Sequence, residues 1–217
     1  MSDILRWLHR VGVVPVVVLD DAEHATPLAH ALLDAGLYCV EVTLRTPAGL
    51  PALAAMSAVT DLTVGAGTVL DPVMVKASHD AGATFIVSPG YDQSIVDECA
   101  QRRILALPGV ATATELQTAR RAGLRAVKFF PAETAGGLPA VKALAAPFPD
   151  MRFMPTGGIG IDNVADYLRF DCVLAVGGSW MVPRDVIAAA DFDLVRTLAR
   201  QASELVSRIR QESTVAR

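Results

Sequence analysis

This chain holds three lysines against sixteen arginines, and one of the three, Lys128, lies inside the apolar run Ala126-Val127-Lys128-Phe129-Phe130-Pro131. A lysine buried in such a run gives up the water around its ammonium, which disfavours the charged form and leaves a free amine. A desolvated amine is what Schiff-base chemistry with a carbonyl compound requires. The pattern also fits a lysine whose stem packs while its head reaches solvent or a carboxylate. Alternation along an extended strand puts Ala126, Lys128 and Phe130 on one face, opposite Val127 and Phe129. In the run Tyr38-Cys39-Val40-Glu41-Val42-Thr43, Glu41 shares a face with Cys39 and Thr43, opposite Val40 and Val42. The wholly apolar faces belong against helices, so Glu41 and Lys128 are both expected to point into one enclosed space. There they form either a structural ion pair or an acid/base and nucleophile team, and their place toward the strand ends favours the team.

Two glycine pairs, Thr156-Gly157-Gly158-Ile159 and Gly177-Gly178-Ser179-Trp180, follow later apolar runs. Glycine lets backbone N–H groups come close to an anion, and Ser179 adds a hydroxyl donor, so these two turns read as a phosphate site. Other groups read as structural. The histidines His9, His24, His30 and His79 fall on expected helices without the spacing of a metal pair. Asp20, Asp21 and Glu23 form a small acidic loop with no identifiable ligand partners, and Gly65-Ala66-Gly67-Thr68 lacks the third glycine of a dinucleotide fingerprint.

Holding these residues together takes a repeating frame. Strand-like runs begin at Val13, Tyr38, Leu62, Thr84, Ile104, Ala126, Arg152 and Cys172, with amphipathic stretches over 24–35, 72–81, 94–103 and 112–122 between some of them. Three of those stretches end in Ala-Gly (Gly36, Gly82, Gly123), glycine being a common stop just past a helix. The spacing predicts a single (β/α)8 TIM barrel over residues 1–217, with a short helix over 4–10 before it and a tail helix over 193–210. In that fold chemistry sits at the C-terminal strand ends, where Glu41 to Arg45, Ser88-Pro89-Gly90, Leu107-Pro108-Gly109 and both glycine pairs would gather.

Composition narrows the class. At 217 residues with 52% hydrophobic residues and mean hydropathy +0.40, the chain is apolar, yet its apolar runs are too short to span a bilayer, which takes about 18 residues. A net charge of −4 without a basic block argues against nucleic acid or an anionic membrane as partner. No signal peptide is read at the N-terminus, and the cysteines Cys39, Cys99 and Cys172 read as reduced core residues of a cytoplasmic protein.

The segments Val13-Val14-Pro15-Val16, Glu41-Val42-Thr43-Leu44-Arg45-Thr46, Val64 to Leu70, Ser88-Pro89-Gly90, Lys128 to Glu133, Pro155 to Ile159 and Gly177-Gly178-Ser179-Trp180 together resemble the KDPG/KHG aldolases, class I bacterial aldolases. The resemblance runs nearly the whole chain. It implies cleavage of 2-dehydro-3-deoxy-6-phosphogluconate to pyruvate and glyceraldehyde 3-phosphate, and of 4-hydroxy-2-oxoglutarate to pyruvate and glyoxylate. By that resemblance Lys128 is the Schiff-base lysine and Glu41 the proton-shuttling carboxylate. Arg45, Thr68 and Pro89 hold the pyruvyl part, and Thr156 bears on stereochemistry at the cleaved carbon. Gly157, Gly158, Gly178 and Ser179 bind phosphate. It further implies a homotrimeric, metal-independent and cofactor-independent enzyme of the Entner-Doudoroff pathway whose partner is a small phosphorylated keto acid. Three alternatives stay open: an aldolase for the C4-epimeric phosphogalactonate, a phosphate-binding isomerase, and a non-catalytic pyruvate- or phosphate-binding barrel.

Overall fold

Each of the recurring apolar runs contributes a parallel strand to the structure, a computed structural model that describes residues 3–215. Helix α1 (Asp3–Val11) leads into β1 (Val13–Val17), followed by α2 (Ala25–Asp34), β2 (Cys39–Thr43), α3 (Gly49–Ser57) and β3 (Thr63–Gly67). The pattern continues with α4 (Pro72–Asp80), β4 (Phe85–Ser88), α5 (Gln93–Arg102), β5 (Leu105–Val110), α6 (Ala113–Arg121) and β6 (Ala126–Phe129). It ends with α7 (Gly137–Ala145), β7 (Arg152–Pro155), α8 (Val164–Leu168), β8 (Val176–Gly178), α9 (Arg184–Ala188) and α10 (Phe192–Val215). Among the described residues the strands run in the order β7-β6-β5-β4-β3-β2-β1-β8. Two further parallel bridges, Phe153 to Val173 and Thr156 to Gly177, join β7 to the eighth run and close the ring. The fold is a (β/α)8 barrel.

The expected alternation divides the core in two. Val40, Val42, Val127 and Phe129 face outward and pack in the layer beneath the helices. Val14, Cys39, Phe85, Leu107, Ala126 and Met154 fill the barrel interior together with Leu5 and Leu8, so α1 plugs the N-terminal end of the barrel. Gly65 makes that filling possible: a Cβ there would lie 2.1 Å from the Phe85 ring. With one end plugged and packed, an open space can exist at the other. The helix boundaries follow local chemistry. Asp71 accepts from the Met74 N–H at 2.7 Å, Asp92 from the Ser94 N–H at 2.7 Å, and Thr112 forms a capping box with Glu115. Gly36, Gly82 and Gly123 take φ of +81°, +101° and +87° just past α2, α4 and α6, as their sequence positions anticipate.

The structure moves several boundaries. Leu107-Pro108-Gly109 is not a turn, because β5 continues through it to Val110 and Ser88 pairs with Pro108. Gly65 to Gly67 and Gly177-Gly178 are likewise strand. Cys172 lies in the turn before the eighth strand, whose ladder with β1 starts at Val176. Helices α3 and α7, over segments the sequence pattern leaves unassigned, both open Gly-Leu-Pro-Ala; a proline in the first helical turn is tolerated because its missing N–H would have had no partner there.

Candidate active site

Lys128 and Glu41 come from strands on opposite sides of the ring and meet inside it. Lys128 Nζ lies 3.3 Å from Glu41 Oε1, with the two residues 6% and 0% exposed. Both therefore point inward at the C-terminal end of the barrel, as alternation requires. The Lys128 ammonium also sits 5.0 Å from the centre of the Phe130 ring. Glu41 Oε2 is buried and, among the described residues, accepts no hydrogen bond. A buried acceptor without a donor is costly, so a hydroxyl brought to this oxygen would be bound at a gain. Two strand positions above Glu41's own partner Gly65 stands Gly67, and the carboxylate fills the space a side chain there would need. A Cβ on Gly67 would lie 2.3 Å from Oε1 and 2.8 Å from Cδ. Gly67→Ala is expected to push the carboxylate off its position, lowering kcat at least about tenfold and stability by about 1–3 kcal/mol, as overpacking does; steady-state kinetics and thermal melting check both. Cys39, one turn of the pleat below Glu41, offers no rival nucleophile. Burial, reinforced by the Glu41 carboxylate, pushes its thiol far above the ordinary range.

Next to this pair, Arg45 Nε donates to Thr68 Oγ1 at 3.3 Å, and Thr68 holds a left-handed φ of +59° at the end of β3. Arg45 and Phe130 line a cavity of about 240 Å³. Thr156, Gly157, Gly158, Gly178 and Ser179 form part of its wall. The structure thus brings together all five residues read as stereochemical and phosphate-binding, with Arg45, around one space. Pro89 stands outside this lining. Its carbonyl lies where a Cβ of Gly109 would be, 2.0 Å away, and Gly109 is the register partner of Lys128.

The two glycine pairs reach this wall by different means. Gly157 and Gly158 take φ of +103° and +78°, a turn that L side chains adopt only with strain. Gly177 and Gly178 are extended, and glycine is needed for space. A Cβ at Gly177 would meet Thr156 Oγ1 at 2.4 Å, and one at Gly178 would meet the Trp180 ring at 1.9 Å. The β6–α7 loop braces the first turn, since Ala132 and Glu133 donate their N–H groups to the Thr156 and Gly157 carbonyls at 2.8 and 3.0 Å. The Tyr167 hydroxyl in turn donates to Glu133. Arg184 also contributes to the cavity lining, and pairs with Asp20 of the acidic loop. Asp21 of that loop accepts from the Glu23 N–H, so its acidic residues serve a bridge and a cap.

Sequence reasoning passed over Phe130, Gly67 and Arg184. Phe130 was legible as the third inward residue of its strand. Gly67 had a signal in the Gly-x-Gly spacing of β3, where alternate positions lacking side chains imply bulky neighbours. Arg184 had none, because its place depends on a loop packing beside a distant one.

The family model described as KDPG and KHG aldolase matches residues 4–198. The 2-dehydro-3-deoxy-phosphogluconate aldolase of Treponema pallidum is 45% identical over 207 residues, covering 95% of this chain and 99% of that protein. The structure of the 2-keto-3-deoxy-6-phosphogluconate aldolase of Zymomonas mobilis ZM4 with 3-phosphoglycerate is similar at TM-score 0.86 and 41% identity, covering 92% of this chain and 94% of that one. So is that of the KDPG aldolase of Legionella pneumophila, with pyruvate captured as a covalent carbinolamine intermediate, at TM-score 0.87 and 38% identity over 90% and 96% of the two chains. With the barrel, the enclosed lysine and carboxylate, and these likenesses in agreement, the chain belongs to the KDPG and KHG aldolase family.

Proposed function

We propose that this protein is a class I aldolase that cleaves 2-dehydro-3-deoxy-6-phosphogluconate to pyruvate and glyceraldehyde 3-phosphate, and 4-hydroxy-2-oxoglutarate to pyruvate and glyoxylate. The observation that carries this reading is the buried 3.3 Å contact between Lys128 Nζ and Glu41 Oε1 at the C-terminal end of the barrel. At that distance the carboxylate is placed to take a proton from the nitrogen, exposing the amine lone pair. The amine adds to the C2 ketone; Glu41 returns its proton to the carbinolamine hydroxyl, which leaves as water to give an iminium and restores the carboxylate. Glu41 takes the proton of the C4 hydroxyl; the C4–O electrons form the aldehyde carbonyl as the C3–C4 bond breaks, and its electron pair passes to the iminium to give an enamine. Glyceraldehyde 3-phosphate departs. The enamine takes a proton at C3, and water releases pyruvate and restores the Lys128 amine.

In this reading Arg45 and Thr68 hold the pyruvyl carboxylate, which suits a fork of N–H donors beside a hydroxyl 3.3 Å away. Pro89 walls the pyruvate end, and Thr156 meets the C4 hydroxyl from the opposite side. Gly157, Gly158, Gly178 and Ser179 receive the phosphate. The enzyme works as a cytoplasmic homotrimer; Leu70 and Val73, exposed at 58% and 75%, are apolar surface that subunit association would cover. Comparing the C4 epimers tests specificity. Cleavage of the gluconate compound is expected to exceed that of the galactonate compound by at least about tenfold in kcat/KM, a difference of one well-placed hydroxyl contact. The reverse order would assign the protein to the epimer, and no pyruvate from either would leave a binding protein.

A further inference from the structure

We propose that Arg184 is the cationic ligand of the substrate's phosphate, an inference that rests on the aldolase reading and adds a residue to it. A phosphate monoester carries a charge of about −1.5 to −2 at neutral pH. The glycine turns and Ser179 bring N–H and O–H donors to it, which orient the group and leave most of its charge uncompensated. Arg184 lines the same cavity from the first residue of α9, which follows β8 and Ser179 in the chain. Its guanidinium is engaged on one edge: Nε donates to Asp20 Oδ2 at 2.7 Å and Nη2 to Asp20 Oδ1 at 2.5 Å. Nη1 and the second N–H of Nη2 stay available for an anion, since a guanidinium carries five donors in a planar fork.

The charges are ordered in space. Asp20 lines a neighbouring crevice with Asp21 and His24 and is absent from the cavity lining. Arg184 borders both spaces, so the sequence from cavity outward is anion, guanidinium, carboxylate. Asp20 and Arg184 side chains are 47% and 61% exposed, and an ion pair so exposed exchanges or shares its partner at little cost. Arg184 is thereby a specificity residue for a phosphorylated over an unphosphorylated sugar acid, and Asp20 is the group that holds it at the rim.

The test compares KM for 2-dehydro-3-deoxy-6-phosphogluconate with KM for the same acid lacking its phosphate, in wild type, Arg184→Ala, Arg184→Lys and Asp20→Ala. Arg184→Ala is expected to shift the ratio of the two KM values about tenfold against the phosphorylated compound, the scale of one charge-assisted hydrogen bond. Arg184→Lys should recover part of it. Asp20→Ala breaks the same bridge but keeps the guanidinium, so its shift should be much smaller. An unmoved ratio in Arg184→Ala, or an equal shift in Asp20→Ala, would reduce Arg184 to a structural tie between loops and overturn the proposal. Calorimetric titration with inorganic phosphate reads the same residue without catalysis. Weaker binding by Arg184→Ala than by Asp20→Ala supports the ligand role even if wild type cleaves neither acid, in which case it is the aldolase reading that fails; equal binding rejects it.

Discussion

Lys128→Arg abolishes aldol cleavage, by at least about four orders of magnitude in kcat, the scale on which removing a covalent nucleophile acts elsewhere. The guanidinium keeps a positive charge beside Glu41 but holds its proton throughout the working pH range and cannot form an imine. Charge conservation matters to the design of the experiment. Lys128→Ala would leave the Glu41 carboxylate buried without a counter-ion, a change that costs about 3–5 kcal/mol and confounds catalysis with folding. With arginine the melting temperature should stay near that of wild type while activity disappears. Substantial cleavage by the arginine variant would show that no bond to nitrogen 128 is involved.

Glu41→Gln separates the base from the nucleophile. The amide is nearly isosteric and fits the space that Gly67 leaves, but it cannot take the C4 hydroxyl proton. Cleavage should fall by about 10²–10⁴ in kcat, the usual contribution of a positioned general base. Condensation with pyruvate needs no C4 proton, and water can take the Lys128 proton in place of the carboxylate, so the Lys128 adduct should still form, though more slowly. A variant that loses adduct formation and cleavage together would instead make Glu41 necessary for generating the free amine. A variant that keeps full cleavage would remove Glu41 from the chemistry.

Much of this was legible because burial on both sides leaves a plain mark. A parallel strand walled by helices outside and side chains inside must be apolar at nearly every position, so Lys128 and Glu41 stand out as exceptions, and alternation alone sends them into the same interior. The three Ala-Gly helix stops were legible for a backbone reason, the left-handed φ at Gly36, Gly82 and Gly123. What sequence hid was decided by packing at a distance. Pro108-Gly109 looks like a turn, but a strand continues there because Gly109 lets the Pro89 carbonyl approach closely. Gly177-Gly178 looks like Gly157-Gly158, yet one pair clears space for Thr156 and Trp180 while the other bends the chain. Helices α3 and α7 were masked by a proline three residues in. Arg184 became visible as a site residue once the β1 and β8 loops were seen side by side.

The most direct measurement is borohydride reduction of the enzyme in the presence of pyruvate, followed by mass mapping of its peptides. Reduction converts an iminium into a stable secondary amine, so wild type should carry a single reduced pyruvyl group on the peptide containing Lys128, with loss of activity in proportion to labelling. Lys76 and Lys142, which lie on helices α4 and α7, should remain unmodified. An unlabelled Lys128 peptide from enzyme that nevertheless turns over substrate would contradict Schiff-base catalysis at this site.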